Sequence, residues 1–228
     1  MAKKQDENLD KNLESIESSL TRTEQFIEKN QKVLIMVVVG VLAIVGIIVA
    51  YQRWYAEPKE IEAKEKIYVA EDYFQRDSFN LALNGDGNYP GFLEIIDDYS
   101  STNAGNLARY YAGVSYYRLD KYDEAIKLLN EFKTDDKIIG PVAKGCIGDA
   151  YSQKKEFDKA VQHYLEAANM SDNNFTAPVY LMKAGRVYES QNNWKSALEV
   201  YERVKKEFKT SMEARTIDKY ITRAKMSM

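Results

Sequence analysis

Gly113, Gly148 and Gly185 stand 35 and 37 residues apart, and each opens the same train of residue types. Three residues after the glycine comes Tyr116, Tyr151 or Tyr188, and nine after it Tyr122, Phe157 or Trp194. Twelve after it stands Ala125, Ala160 or Ala197, and sixteen after it Leu129, Tyr164 or Tyr201. A period of this length marks an array of supersecondary units, none of which can bury its apolar face alone. A glycine and a tyrosine three residues apart share one face of a helix. The columns from nine to sixteen belong to a second helix. The polar segments Leu119-Asp120-Lys121, Lys154-Lys155-Glu156 and Gln191-Asn192-Asn193 between them read as turns. Pro141 and Pro178 fall in first turns, where a missing N–H is tolerated. The pattern predicts an all-α chain with three helical hairpins over 106–209. In each, the small residue of the first helix is expected to face the small residue of the second.

Both flanks extend the array. Ile61, Ala63, Ile67, Ala70 and Phe74 mark a helix beginning near Pro58, and Gly91-Phe92-Leu93 to Tyr99 a second. Together they predict a degenerate first hairpin over 57–100, split by the loop Asn84-Gly85-Asp86-Gly87-Asn88-Tyr89-Pro90. Residues 210–228 predict a capping helix that turns Met212, Ile217, Tyr220 and Ile221 toward the last hairpin.

From Val33 to Ala50 no residue is charged, and 13 of the 18 are Val, Leu or Ile. As a helix this run is about 27 Å long, close to the hydrocarbon thickness of a bilayer. Lys32 and Arg53 flank it and can reach the interface, and Tyr51, Trp54 and Tyr55 supply an aromatic belt. A transmembrane helix over 33–51 is predicted. Arg22, Lys29 and Lys32 precede it, and Arg53, Lys59, Lys64 and Lys66 follow, so charge bias does not set its orientation. Gly46 and Ala50 form one small-xxx-small pair that could seat a partner helix. The polar tail 1–32 is expected to be partly helical. Leu9, Leu13, Ile16, Leu20, Thr23 and Ile27 trace a heptad seam in it, and Thr21 with Glu24 fits a capping box.

With 32 basic against 35 acidic side chains, the chain lacks the basic footprint of nucleic-acid binding. Cys146 is the single cysteine and His163 the single histidine, which leaves no disulfide framework and no metal or nucleophile constellation. Cys146 reads as a small helix-packing residue and His163 as a surface residue. Asn84, Asp86 and Asn88 alternate as at the start of a calcium loop, but Tyr89-Pro90 stands where the glycine belongs. Asn174-Phe175-Thr176 is a glycosylation sequon, meaningful only in a eukaryotic secretory setting. No catalysis, cofactor, metal or small-molecule substrate is expected.

The glycine, tyrosine and alanine columns resemble the tetratricopeptide repeat over about 106–209. The repeats here run 35 and 37 residues where the family has about 34, and the family's late proline is missing. The resemblance implies a right-handed α-superhelix that binds proteins, with the first helix of each hairpin lining the concave wall. Carried onto this chain, the wall comprises Tyr110, Val114, Tyr117 and Arg118, then Asp149, Ser152 and Gln153, then Met182, Arg186 and Glu189. Tyr110 and Val114 occupy the places that a carboxylate-holding Lys/Asn clamp would need, which disfavours a chaperone-tail receptor.

The order of parts narrows the resemblance. A polar tail with Phe26-Ile27-Glu28-Lys29-Asn30-Gln31-Lys32, one anchor ending in Tyr51-Gln52-Arg53-Trp54-Tyr55, then repeats at once, is similar to the bacterial ancillary subunit family of the SecYEG translocon. That implies an inner-membrane protein with cytoplasmic tail and periplasmic repeats. Its implied partners are translocon subunits, periplasmic chaperones or unfolded clients. The stretch from Gly91 to Ala125 also resembles the repeats of envelope-assembly lipoproteins, whose lipidated cysteine this chain lacks. The second reading is therefore an adaptor for another envelope complex, in division or outer-membrane assembly.

Overall fold

The computed structural model describes residues 2–228, with side chains described at Glu24 and from Phe26 onward. Every regular element among the described residues is helical. The chain divides into two compact units, Met1–Pro58 and Lys59–Met228.

The first unit is built on α1 (Ala2–Tyr51), followed by a π-helical turn, Gln52–Ala56. The helix that carries the apolar run is long and apolar enough to cross a membrane. Its most apolar 18-residue window has a mean hydropathy of 3.3 and buries none of its residues against protein. Lys32, Arg53, Trp54 and Tyr55 are exposed at its ends. Arg53 donates to Glu57 at 2.9 Å, and the Tyr51 and Tyr55 rings lie 5.2 Å apart. The widened turn stands just before Pro58, whose ring crowds the carbonyl one turn back and which has no N–H to offer it. The seam from Leu9 to Thr23 and the Thr21 half of the capping box lie outside the described side chains, and α1 runs unbroken through both.

The second unit opens with α2 (Glu57–Gln75), α3 (Phe79–Asn84) and α4 (Phe92–Asp98). Three of the five columns recur here, without the glycine or the large residue at sixteen. Ala70 is followed by Tyr73 at three, Phe79 at nine and Ala82 at twelve, and both alanines are fully buried. The second helix of the first hairpin therefore begins at α3, ahead of the helix from Gly91, and residues of α2, α3 and α4 share one core, with the Tyr99 hydroxyl after α4 donating to Glu62 of α2 at 2.7 Å. That second helix stops at Gly85, whose φ of 78° a side chain resists, and an inserted loop delays the remainder until α4. Asp86 pins that loop: its carboxylate accepts from the amides of Asn88 (2.9 Å) and Tyr89 (2.8 Å) and from the Tyr73 hydroxyl (2.8 Å). These donors hold its pKa below the usual carboxylate range. Ile61, expected on the packed face of α2, is 54% exposed, and Ala63, Ile67 and Ala70 carry the burial.

Three further hairpins follow: α5 (Asn103–Arg118) with α6 (Tyr122–Glu131), α7 (Ile139–Gln153) with α8 (Phe157–Asn169), and α9 (Ala177–Ser190) with α10 (Trp194–Glu207). Each turn repeats one geometry. Asp120, Lys155 and Asn192, all seven residues after the glycine, take φ of 59°, 62° and 57°. The next amide in each (Lys121, Glu156, Asn193) donates 2.9 Å to the carbonyl of the column tyrosine (Tyr116, Tyr151, Tyr188). This is a Schellman closure, and Asp77 with Ser78 repeats it on Tyr73.

The glycines meet a partner other than the expected one. A Cβ on Gly113 would lie 2.6 Å from Leu129, one on Gly148 2.7 Å from the Tyr164 ring, and one on Gly185 closer still to the Tyr201 ring. The small residue thus seats the large side chain sixteen positions on, and the alanine at twelve is buried beside that contact. In the first hairpin the sixteenth position is Asp86 in the loop, so no side chain presses there and Ala70 suffices.

The array ends with a 3-10 turn, Glu213–Arg215, and α11 (Ile217–Met226). Ile217, Ile221 and Ala224 close the last core, and Tyr220 packs on Tyr201. Met212 does not face that core: it is 74% exposed, because the tight turn after Ser211 carries it outward.

Candidate protein-binding face

α5, α7 and α9 are the first helices of successive hairpins, and α7 touches both of the others. Their neighbouring faces carry the ten residues expected on the wall, and the structure sorts these into three states. Arg118, Gln153 and Arg186 are exposed. Tyr110, Val114, Tyr117, Asp149, Ser152 and Glu189 are half-buried. Met182 is 6% exposed and belongs to the C-terminal core, where Tyr180, Leu181 and Ala184 of its own helix also sit. It forms the floor of an open depression bordered by Val179, Arg186, Met212 and Tyr220.

The tyrosines are wedges between hairpins. Tyr110, Val114 and Tyr117 pack against the central core of Ile126, Leu129, Cys146 and Ile147. Tyr110 meets Phe132 at 5.4 Å, and Tyr117 meets Tyr122 at 5.9 Å. Burial raises both phenols above their ordinary pKa. Each ring therefore presents an edge and a hydroxyl on a body already ordered, so contact with a partner costs little side-chain entropy.

Both carboxylates on this face are already joined across hairpins. Asp149 accepts from Lys183 through both oxygens, each at 2.7 Å, and from the Tyr164 hydroxyl at 2.7 Å. Glu189 holds the Arg223 guanidinium in a fork with contacts of 2.6 and 2.8 Å. Lys183 also lies over the Tyr164 and Tyr180 rings, 5.7 and 5.5 Å from their centroids. The sequence offered no sign of these staples, because Lys183 and Arg223 fall outside the repeated columns. The polar groups left exposed to a ligand are the guanidinium of Arg118, the amide of Gln153, which also bonds Tyr117, and the guanidinium of Arg186, which donates to the Tyr220 hydroxyl at 3.4 Å and lies over its ring.

The remaining candidates resolve locally. Cys146 is buried against the central core, and its thiol is pushed up to about 12 by that burial. His163 is not a surface residue: it is half-buried, stacked on Tyr151 with centroids 5.3 Å apart, and burial lowers its pKa. A leucine-like place in the second helix accepts an imidazole because one ring face meets an aromatic. The sequon's Thr176 is buried and hydrogen-bonded to Asn173 at 2.9 Å.

Two sequence profiles of the tetratricopeptide repeat match the chain, one over 107–136 and 180–211 and the other over 147–174. Among solved structures, the nearly identical TPR-like repeats assigned to a putative kinesin light chain of Podosopora anserina superpose with a TM-score of 0.55. That match has 13% identity and covers 73% of this chain and 86% of the other. A single-substitution variant of the same repeats gives a TM-score of 0.55 at 12% identity over the same shares. No curated protein matches the chain. The matched segments coincide with α5/α6, α7/α8 and α9/α10, so these three hairpins carry the tetratricopeptide pattern, and repeats of that kind serve as protein-interaction scaffolds.

Proposed function

We propose that this protein is held in a membrane by α1 and uses the wall of α5, α7 and α9 to hold other polypeptides. The observation that carries the reading is the strip of Arg118, Gln153 and Arg186, left open between half-buried tyrosines whose bodies are fixed by the core. Such a strip supplies hydrogen bonds and stacking to an extended chain without demanding one side-chain sequence. It suits a client that is only partly folded. Combined with the layout of tail, single anchor and immediate repeats, the reading is of a bacterial envelope protein. There it assists the passage of exported proteins from the translocon to periplasmic chaperones.

Site-specific photocrosslinking tests this. Probes at Tyr117 and Arg186 are expected to capture translocon subunits, chaperones or exported clients. Adducts with division or outer-membrane assembly machinery instead would transfer the scaffold to that complex. A reporter fused after Met228 is expected to read as periplasmic, and a cytoplasmic reading sinks the orientation.

A further inference from the structure

The second unit is electrically polar along its length. Residues 59–136 carry nine basic and sixteen acidic side chains, a net of −7, and residues 203–228 carry eight and three, a net of +5. The segment between them holds eight of each.

The terminal helices carry this asymmetry on stripes that no other element covers among the described residues. On α2, Ile61, Glu65, Tyr68 and Asp72 follow a 4-3-4 spacing and so lie on one face. Ile61 is 54% and Tyr68 72% exposed, Glu65 is exposed with no ion-pair partner among the described residues, and the half-buried Asp72 is already paired with Arg76 at 2.8 Å. On α11, Lys219, Thr222 and Met226 share a face, with Arg215 one turn earlier. Met226 is 84% exposed, and neither Arg215 nor Lys219 has an ion-pair partner among the described residues. A repeat array needs polar terminal faces to stop stacking. Both ends of this one instead pair apolar side chains with charge, and the charges are opposite.

We infer that the α2 stripe of one copy docks on the α11 stripe of a second, head to tail. Glu65, the unpaired carboxylate of the stripe, then faces Lys219 and Arg215, while Ile61 and Tyr68 cover Met226. Because the two surfaces differ, the contact is heterologous: it leaves one free end of each kind and can extend beyond two copies. The contact does not depend on which client the wall holds.

The full-length chain in liposomes tests this through two apolar positions that leave the charges intact. A chain carrying Tyr68→Cys is mixed with one carrying Met226→Cys and treated with a short bis-maleimide. The unaltered chain serves as blank, because Cys146 is buried. The mixture is expected to give several-fold more dimer adduct than either variant alone, falling about tenfold in 1 M salt, where charges are screened beyond about 3 Å. Lys219→Glu on the Met226→Cys chain is expected to abolish the adduct, and Glu65→Lys on its partner to restore it. Adducts of Tyr68→Cys with itself, protection of that thiol by lipid alone, or no mixed adduct would overturn the inference. So would charge exchange without rescue.

Discussion

At the scale of single residues, the repeat glycines are there to accommodate side chains, and this can be measured. Tyr201 is fully buried and lies against Gly185, so a methyl group there must displace a ring that has nowhere to go. Gly185→Ala is expected to destabilise the protein by about 1–3 kcal/mol through overpacking, despite the better helix propensity of alanine. A denaturant midpoint unchanged or raised would refute the seating role. His163 gives a second residue-level prediction. Burial holds its pKa below the ordinary value, so the unfolded chain binds a proton more readily than the folded one. The stability from the neutral imidazole is therefore fully present above about pH 6.5 and is lost as pH falls below that value toward the lower pKa of the folded state. The carboxylates whose pKa is lowered, such as Asp86 and Glu166, act only further down, in the carboxylate range. Thermal melts between pH 7.5 and 5.5 should show a downward slope that His163→Gln removes.

At the scale of elements, the sequence disclosed hairpins where glycine and aromatic columns coincide, and it showed one only in degenerate outline where they do not. The α2/α3 hairpin keeps Tyr73, Phe79 and Ala82 in register, but alanine replaces glycine at position 70, and the insert from Gly85 to Gly91 disrupts the period. The short helix α3 went unread because that insert was taken as the break between the two helices of the hairpin. The left-handed residue at the seventh column was invisible for a different reason. Asp120, Lys155 and Asn192 share a backbone geometry and no side-chain chemistry. Among the three, only Asp120 has a side-chain hydrogen bond, from Tyr122, and lysine is the one residue type that gains nothing in the left-handed region. Lys155→Gly is thus expected to stabilise the α7/α8 turn by roughly 1 kcal/mol. The comparison is with Asn192→Gly, which should change stability by a few tenths at most, since asparagine tolerates that region. Equal effects at the two sites would show that the turns are not under backbone strain. On the candidate wall, position along the repeat was readable but burial was not: Met182 enters the core because its helix also meets the 3-10 turn before α11, a contact outside the repeat register.

At the scale of the whole second unit, the buried side chains fall into three clusters, and not one. Residues of α2 to α5 form the first, α6 and α7 the second, and α8 to α11 the third. In an array where each hairpin contacts only its neighbours, stability is a sum of local terms and interface terms, so the ends can open separately. The ion-paired staples run between neighbouring helices too: Lys154 reaches Asp123 and Glu156, and Arg223 reaches Glu189. These pairs, each with at least one half-buried member, act at the joints between neighbouring helices and not across the array. Unfolding should therefore not be all-or-none. In Gly185→Ala, hydrogen exchange is expected to accelerate across α9, α10 and α11 while α2, α4 and α5 keep their protection, and a second denaturant transition should separate from the first. The same substitution in a single cooperative core would raise exchange everywhere by one factor. Uniform acceleration would mean that the three clusters act as one, and that a client held along the wall is gripped by a rigid body and not by hairpins able to loosen one at a time.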